Sequence, residues 1–143
     1  MYANILIATD GSELAASAVK NGITLAKRLG AKVTAVNVTE PFHWYDPNMM
    51  PAAETAYVQG ATLAARKALD FAADAAKAAG VDCETFHVQD ELPYKAIIDT
   101  AKAKNCDLIV MASHGRRGMS SFVLGSETVK VLTHSKIPVL VYR

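Results

Sequence analysis

Apolar residues fall along this chain in two kinds of segment that alternate from one end to the other. Short runs rich in apolar or β-branched residues predict strands at 4–9, 32–38, 82–88, 107–112 and 137–142. Between them, apolar positions at helical spacing predict helices at 13–29, 53–79, 93–104 and about 126–133. Ser12 is a typical N-cap for the first helix, and Gly30 is a typical residue after its end.

This alternation of strand and helix predicts the α/β class. Such a chain forms a parallel sheet with right-handed crossovers and helices on both faces, which is a three-layer α/β/α sandwich of Rossmann-like form. The length of 143 residues and the absence of a visible linker predict a single domain, residues 1–143.

Composition narrows the classes of function. The chain is 51% hydrophobic and 20% charged, as expected of a globular protein. A net charge of +1 gives no electrostatic basis for binding nucleic acid or an anionic membrane. No apolar run reaches the length of a membrane span, and the opening run is too short for an export signal. Cys83 and Cys106 form no CxxC pair, so we expect two reduced thiols in a soluble cytoplasmic protein.

The segment after the fourth predicted strand, MASHGRRGMSSFVLGSET at 111–128, has the composition of an anion site. Its glycines permit a positive φ and close backbone approach. The pair Gly125-Ser126 precedes a helix, whose first amides lack internal partners and favour an oxyanion. Further donors or charges could come from Ser126, Thr128, Arg116 and Arg117. The alternative is a plain turn, in which Gly125 only turns the chain and Ser126 only caps a helix, and the local sequence slightly favours it.

Position along the fold adds a second consideration. Ligands of open parallel sheets bind beyond the carboxyl ends of the strands, where the strand order reverses. Asp10 follows the first strand and Ala112 ends the fourth. If these strands are neighbours, Asp10 and the loop face one crevice. Asp10 would then contact a ribose or a phosphate-bound metal, or would simply stabilise its own turn, and the sequence favours neither role.

Several common catalytic motifs are absent. The chain has no GxxxxGK[ST], no GxGxxG after its first strand, no HExxH and no GxSxG. Its four histidines are scattered, and His114 fits a nucleotide contact better than a general base. The loop at 42–51 holds three aromatic residues, which more often pack over a core than bind a ligand. The sequence therefore predicts a binding protein rather than an enzyme.

The last strand predicts an exposed edge. Val139 to Tyr142 is an apolar run at the end of the chain, and an open edge of this kind needs protection. Pairing with a second copy would supply it and would make a homodimer. The alternative is an edge that a loop covers.

The chain resembles the universal stress protein family over essentially its whole length. The resemblance rests on the first strand with Thr9-Asp10-Gly11-Ser12, and on 107–143, including the ending HSKIPVLV. Members that bind ATP carry G-x2-G-x9-G-[ST]. The second glycine falls on Gly115 and the final pair on Gly125-Ser126, with Gly118 as an extra glycine within the spacer.

The first glycine of the motif falls on Ala112, where this chain departs from the pattern. A methyl group there would hinder close backbone approach or a positive φ, but it would cost little in ordinary β geometry.

The resemblance implies a five-stranded sheet in the order 3-2-1-4-5 and dimerisation through the fifth strand. It implies that ATP with Mg²⁺ is a regulatory ligand in stress response or signalling. Slow ATP hydrolysis is possible for such a site but is not predicted. Val38 would contact adenine through its backbone, Met111 would flank the nucleoside, and Asp10 would lie near the ribose or the metal. The implied nucleotide-binding residues are Ala8, Thr9, Asp10, Val38, Met111, Ala112, Ser113, His114, Gly115, Arg116, Arg117, Gly125, Ser126 and Glu127. The alternative is a dimeric interaction module of the same fold that binds no nucleotide.

Overall fold

The computed structural model describes residues 1–43, 51–115 and 123–143. Its elements alternate as predicted, and the boundaries differ from the predicted ones by at most two residues. The strands are β1 (Asn4–Ala8), β2 (Lys32–Thr39), β3 (Cys83–Gln89), β4 (Leu108–Ala112) and β5 (Val139–Tyr142). The helices are α1 (Glu13–Leu29), α2 (Pro51–Ala79), α3 (Pro93–Ala103) and α4 (Ser126–His134).

The five strands form one parallel sheet in the order β3-β2-β1-β4-β5. This confirms the predicted fold class and strand order. The fifth strand begins at Val139 rather than at 137. Pro138 lies just before it and has no N–H for a ladder, although its carbonyl accepts from the Ile109 N–H at 2.9 Å.

Alternate residues of the central strands enter two separate cores. Ile5, Ile7 and Val110 pack against α1 and α2 on one face of the sheet. Leu6 and Ile109 pack on the other face, in a cluster that includes side chains of α3 and α4. All five side chains are fully buried. Because both faces are covered, these strands are continuously apolar instead of alternating.

The ends of α1 follow the predicted capping chemistry. The Ser12 hydroxyl accepts a hydrogen bond from the Ala15 N–H at 3.2 Å, and Gly30 ends the helix in the left-handed conformation with φ 66°. Within the described residues, no helix is both long and apolar enough to cross a membrane.

The structure places β1 and β4 side by side, so the strand order reverses at β1. β1 pairs with β2 on one side, ending at Ala8 opposite Val36, and with β4 on the other, ending at Ile7 opposite Val110. Both neighbours continue past these last pairs, β2 to Thr39 and β4 to Ala112. A crevice therefore opens at the carboxyl edge of β1.

We expect Gly22→Ala to destabilise the protein although alanine is the better helix former. A Cβ at Gly22 would lie 2.8 Å from Ile7 Cδ1 in the packed core, and such overpacking costs about 1–3 kcal/mol. Gly60→Ala in α2 is the matched control, because its Cβ would meet nothing within 4 Å. This control should raise the free energy of unfolding by up to about 1 kcal/mol. Urea denaturation measures both changes, and a stabilised Gly22→Ala would contradict the packing described.

We expect the Cys106 thiol to react slowly in the native protein. Burial raises its pKa, which lowers the fraction present as the reactive thiolate. In a Cys83→Ser variant at pH 8, a disulfide reagent should modify Cys106 at least about tenfold more slowly than in urea. Equal rates in the two conditions would show that the core beside Cys106, just before β4, is open to the reagent.

Candidate functional site

A cleft of about 510 Å³ lies at the carboxyl edge of β1, β2 and β4. The N-terminus of α4 and one face of α2 form parts of its wall. Predicted site residues that line it are Ala8, Thr9, Asp10, Val38, Met111, Ala112, His114, Gly115, Gly125, Ser126 and Glu127. Ser113 is buried and does not line the cleft. Arg116, Arg117 and Gly118 lie outside the described residues.

Asp10 and Gly115 meet across the reversal point. One oxygen of the Asp10 carboxylate accepts a hydrogen bond from the Ser12 N–H at 2.9 Å. Its other oxygen occupies the space that a side chain on Gly115 would need. A side chain at 115 would therefore displace the Asp10 carboxylate from this position, whether or not a ligand is bound. The same contact brings the end of β1 and the loop after β4 into one crevice, as predicted.

The first turn of α4 is fixed to the end of β4. Gly125 has φ −63° and ψ 153°, so the positive φ that a glycine permits is not used there. A Cβ at Gly125 would lie 3.2 Å from the Ser113 carbonyl oxygen, which also accepts the Gly125 N–H at 2.6 Å. The buried Thr128 hydroxyl lies 3.0 Å from the Ala112 carbonyl oxygen and 3.1 Å from that of Ser113. It therefore anchors the helix, whereas the sequence had suggested a donor for an anion.

The exposed end of α4 has the electrostatics of an anion site. Its N-cap, Gly125, offers no side-chain acceptor. The N–H groups of the first turn, including those of Ser126 and Glu127, have no acceptor within the helix. These amides and the helix dipole together favour a negative group.

The Glu127 carboxylate belongs to a contact between two helices. It accepts a hydrogen bond from the Tyr94 N–H at 2.9 Å, and its other oxygen lies 3.4 Å from Lys130 Nζ. α3 needs this partner because its N-cap residue, Leu92, provides no side-chain cap. The backbone N–H of Glu127, rather than its carboxylate, is then the group suited to an anion.

Val38 presents unpaired backbone groups at the opposite end of the cleft. Alternate residues of a parallel strand turn their N–H and C=O to the same side. The Val36 carbonyl faces β1 and accepts from the Thr9 N–H at 2.9 Å, so Val38 faces the same way. Val38, however, lies beyond the last β1 pair, which joins Ala8 and Val36. Within the described ranges, the ladder offers Val38 no partner on this side.

Ala112 has ordinary strand geometry. It is the last residue of β4, lies opposite Tyr142 in β5, and is buried in the core cluster on the α1 and α2 face. Among the described residues other than glycine, Asn105 alone has a positive φ. The departure from the glycine motif therefore leaves the strand undistorted.

Among the cleft residues that the sequence did not predict are two whose side chains bind backbone carbonyls, Asn37 and Tyr57. The Asn37 side-chain amide donates to the Thr9 carbonyl at 3.0 Å. The Tyr57 hydroxyl donates to the Glu40 carbonyl at 2.7 Å, and its ring lies 5.3 Å from that of Phe42 between centroids. Asn37 lies between apolar residues of β2 and belongs to no recognised motif, so nothing in the sequence singled it out. The alanine-rich α2 gives no sign of which turn faces the sheet edge.

No group of three or more metal-ligating side chains occurs within residues 1–43, 51–115 and 123–143. Asp10 remains a single carboxylate beside the anion site. This set fits Mg²⁺ carried by phosphates, because Mg²⁺ commonly uses one or two carboxylates, substrate phosphate oxygens and water.

Comparisons with known proteins agree with this architecture. The universal stress protein family model matches residues 1–143. A universal stress protein of Methanocaldococcus jannaschii is 31% identical over 146 residues, covering 100% of this chain and 83% of the relative. A structure of a family member from Burkholderia pseudomallei has a TM-score of 0.79 at 27% identity, covering 98% of this chain and 95% of that one.

A further similar structure is a universal stress protein solved in complex with cAMP. It has a TM-score of 0.70 at 26% identity, and the match covers 99% of this chain and 97% of that one. Family model, sequence relative and solved structures all match over nearly the full length of the chain. The chain therefore belongs to the universal stress protein family.

Proposed function

We propose that this protein binds an adenine nucleotide, ATP with Mg²⁺, as a regulatory ligand in stress response or signalling. One observation carries the proposal: the α4 N-terminus and the unpaired backbone of Val38 line the same cleft of about 510 Å³. An anion site at one end and a backbone donor and acceptor at the other suit a phosphorylated base. The related structure in complex with cAMP supports a nucleotide ligand.

The phosphates would lie against the first turn of α4. The N–H groups of Ser126 and Glu127, the Ser126 hydroxyl and the loop from Ala112 to Gly115 are the donors on this side, with Arg116 and Arg117 as proposed charges. None of the described cleft residues is a lysine or an arginine. Among the described residues, backbone amides would therefore make most of the contacts to phosphate.

The nucleoside would extend towards β2. The side chains of Ala8, Val38 and Met111 belong to the apolar surface on the α3 and α4 face and would flank the base and sugar. The Val38 N–H and C=O would pair with the edge of the base. Asp10 lies between the two ends of the cleft and would contact the ribose or a phosphate-bound Mg²⁺.

We propose a regulatory role rather than catalysis. The Glu127 carboxylate is engaged by α3, and one Asp10 oxygen is engaged by Ser12. His114 Nδ1 lies 3.1 Å from the Ser113 hydroxyl. These partners leave Asp10 and Glu127 suited to structure and positioning more than to activating water.

We also propose that the protein is a cytoplasmic homodimer that pairs through β5. Each chain would be a single domain, residues 1–143. β5 is an edge strand with partly exposed apolar residues, among them Leu140 at 37% exposure.

The alternative of a module that binds no nucleotide loses its support from Ala112, because that residue has ordinary strand geometry. Most of the aromatic loop at 42–51, its other support, lies outside the described residues.

Calorimetric titration with Mg-ATP tests the proposal, and Ser126→Asp locates the phosphates. A carboxylate at 126 stabilises a helix N-terminus but repels a bound phosphate. We expect heat on ATP addition to the wild type and about tenfold weaker binding for Ser126→Asp. The uncharged control Ser126→Asn, which replaces the hydroxyl donor with an amide donor, should lose clearly less affinity. The melting temperature of Ser126→Asp should not fall. The absence of heat up to millimolar ATP in the wild type would refute the proposal.

Restoring the motif glycine should not improve binding. The Ala112 methyl packs in the core within ordinary β geometry, so Ala112→Gly removes packing without relieving strain. We expect unchanged ATP affinity and a loss of about 0.5–1 kcal/mol in the free energy of unfolding. A large gain in affinity would mean that the methyl obstructs the nucleotide.

A further inference from the structure

The Thr9 carbonyl has an unexpected hydrogen-bond partner. After the bond from the Thr9 N–H to the Val36 carbonyl, the next bond of a parallel ladder would run from the Val38 N–H to the Thr9 carbonyl. That bond is not among those formed within the described part of the chain. The side-chain Nδ2 of Asn37 donates to this carbonyl instead, at 3.0 Å.

The surroundings hold the Asn37 amide in this orientation. A carbonyl can only accept, so the amide must turn its NH₂ group towards Thr9. Its Oδ1 accepts from the Thr39 hydroxyl at 3.4 Å, and that hydroxyl lies 2.6 Å from Nε2 of His87. Thr9 and Asn37 are both buried, at 5% and 7% exposure. Both residues line the cleft but are mostly buried, so water would replace this bond less readily than a bond at the surface.

We propose that Asn37 is a positioning residue for the nucleotide base. By occupying the Thr9 carbonyl, its amide stops the β1–β2 ladder one bond early and keeps the Val38 N–H free to donate to a ring nitrogen of the base. The inference rests on the proposed nucleotide function. Without the amide, the mostly buried Thr9 carbonyl would lose this partner, and the Val38 N–H is the donor that a continued parallel ladder would bring to it. The ladder would then lengthen, and the cleft would lose its donor for the base.

Amide hydrogen exchange, read by NMR in the ligand-free protein, tests this directly. Asn37→Leu removes the donor at similar volume, and Asn37→Ala serves if the leucine variant does not fold. We expect the Val38 N–H to exchange rapidly in the wild type and at least about tenfold more slowly in either variant. Thr39→Val is the matched control, because it removes the Oδ1 contact but leaves the bond to Thr9. This control should exchange like the wild type.

Calorimetry with Mg-ATP supplies the second measurement. The variants at 37 should bind ATP roughly tenfold more weakly, as expected for the loss of one buried hydrogen bond. Added ATP should slow exchange at Val38 in the wild type but not in these variants. Equal Val38 exchange in all ligand-free proteins, or unchanged ATP affinity, would overturn the inference. If the wild type bound no ATP, the proposed function would fail, while the ligand-free exchange rates would still decide whether Asn37 keeps Val38 unpaired.

Discussion

β1 ends before the two strands beside it, and the site follows from the backbone groups that this leaves unpaired. Past Ala8, polar groups of β2 and β4 face a side that no longer offers a strand. Buried backbone groups must find other partners. The Ala112 carbonyl finds the Thr128 hydroxyl, and the Thr9 carbonyl finds the Asn37 amide. The backbone of Val38 is left facing the cleft, where the proposed nucleotide base would form hydrogen bonds with its N–H and C=O.

Close backbone approach explains the glycines of this region better than unusual dihedral angles do. Gly115 makes room for the Asp10 carboxylate, and Gly125 makes room for the end of β4. Both contacts hold elements of the fold together before any ligand arrives. A glycine motif read as a nucleotide signature thus also encodes the docking of a helix onto a strand. Ala112 shows the converse, because a motif position that faces the core accepts a methyl group.

Much of this structure could be predicted from the sequence, since the apolar runs and cap residues act locally. The strands, the helices, the parallel sheet and the meeting of Asp10 with the loop all follow from periodicity and from the rule for parallel sheets. The order 3-2-1-4-5 came from family resemblance. What could not be predicted depends on contacts between distant residues. The Tyr94 N–H bonded by Glu127 and the Thr9 carbonyl bonded by Asn37 are examples.

The central claim is that one cleft holds a nucleotide with its phosphates on the first turn of α4 and its base on the end of β2. Backbone amide chemical shifts, followed while Mg-ATP is added to the wild-type protein, test it most directly. The account predicts large shifts at Val38 and over Gly125 to Thr128, at the two ends of one cleft, with small changes along β3. Shifts confined to another surface, or at only one of the two ends, would contradict it.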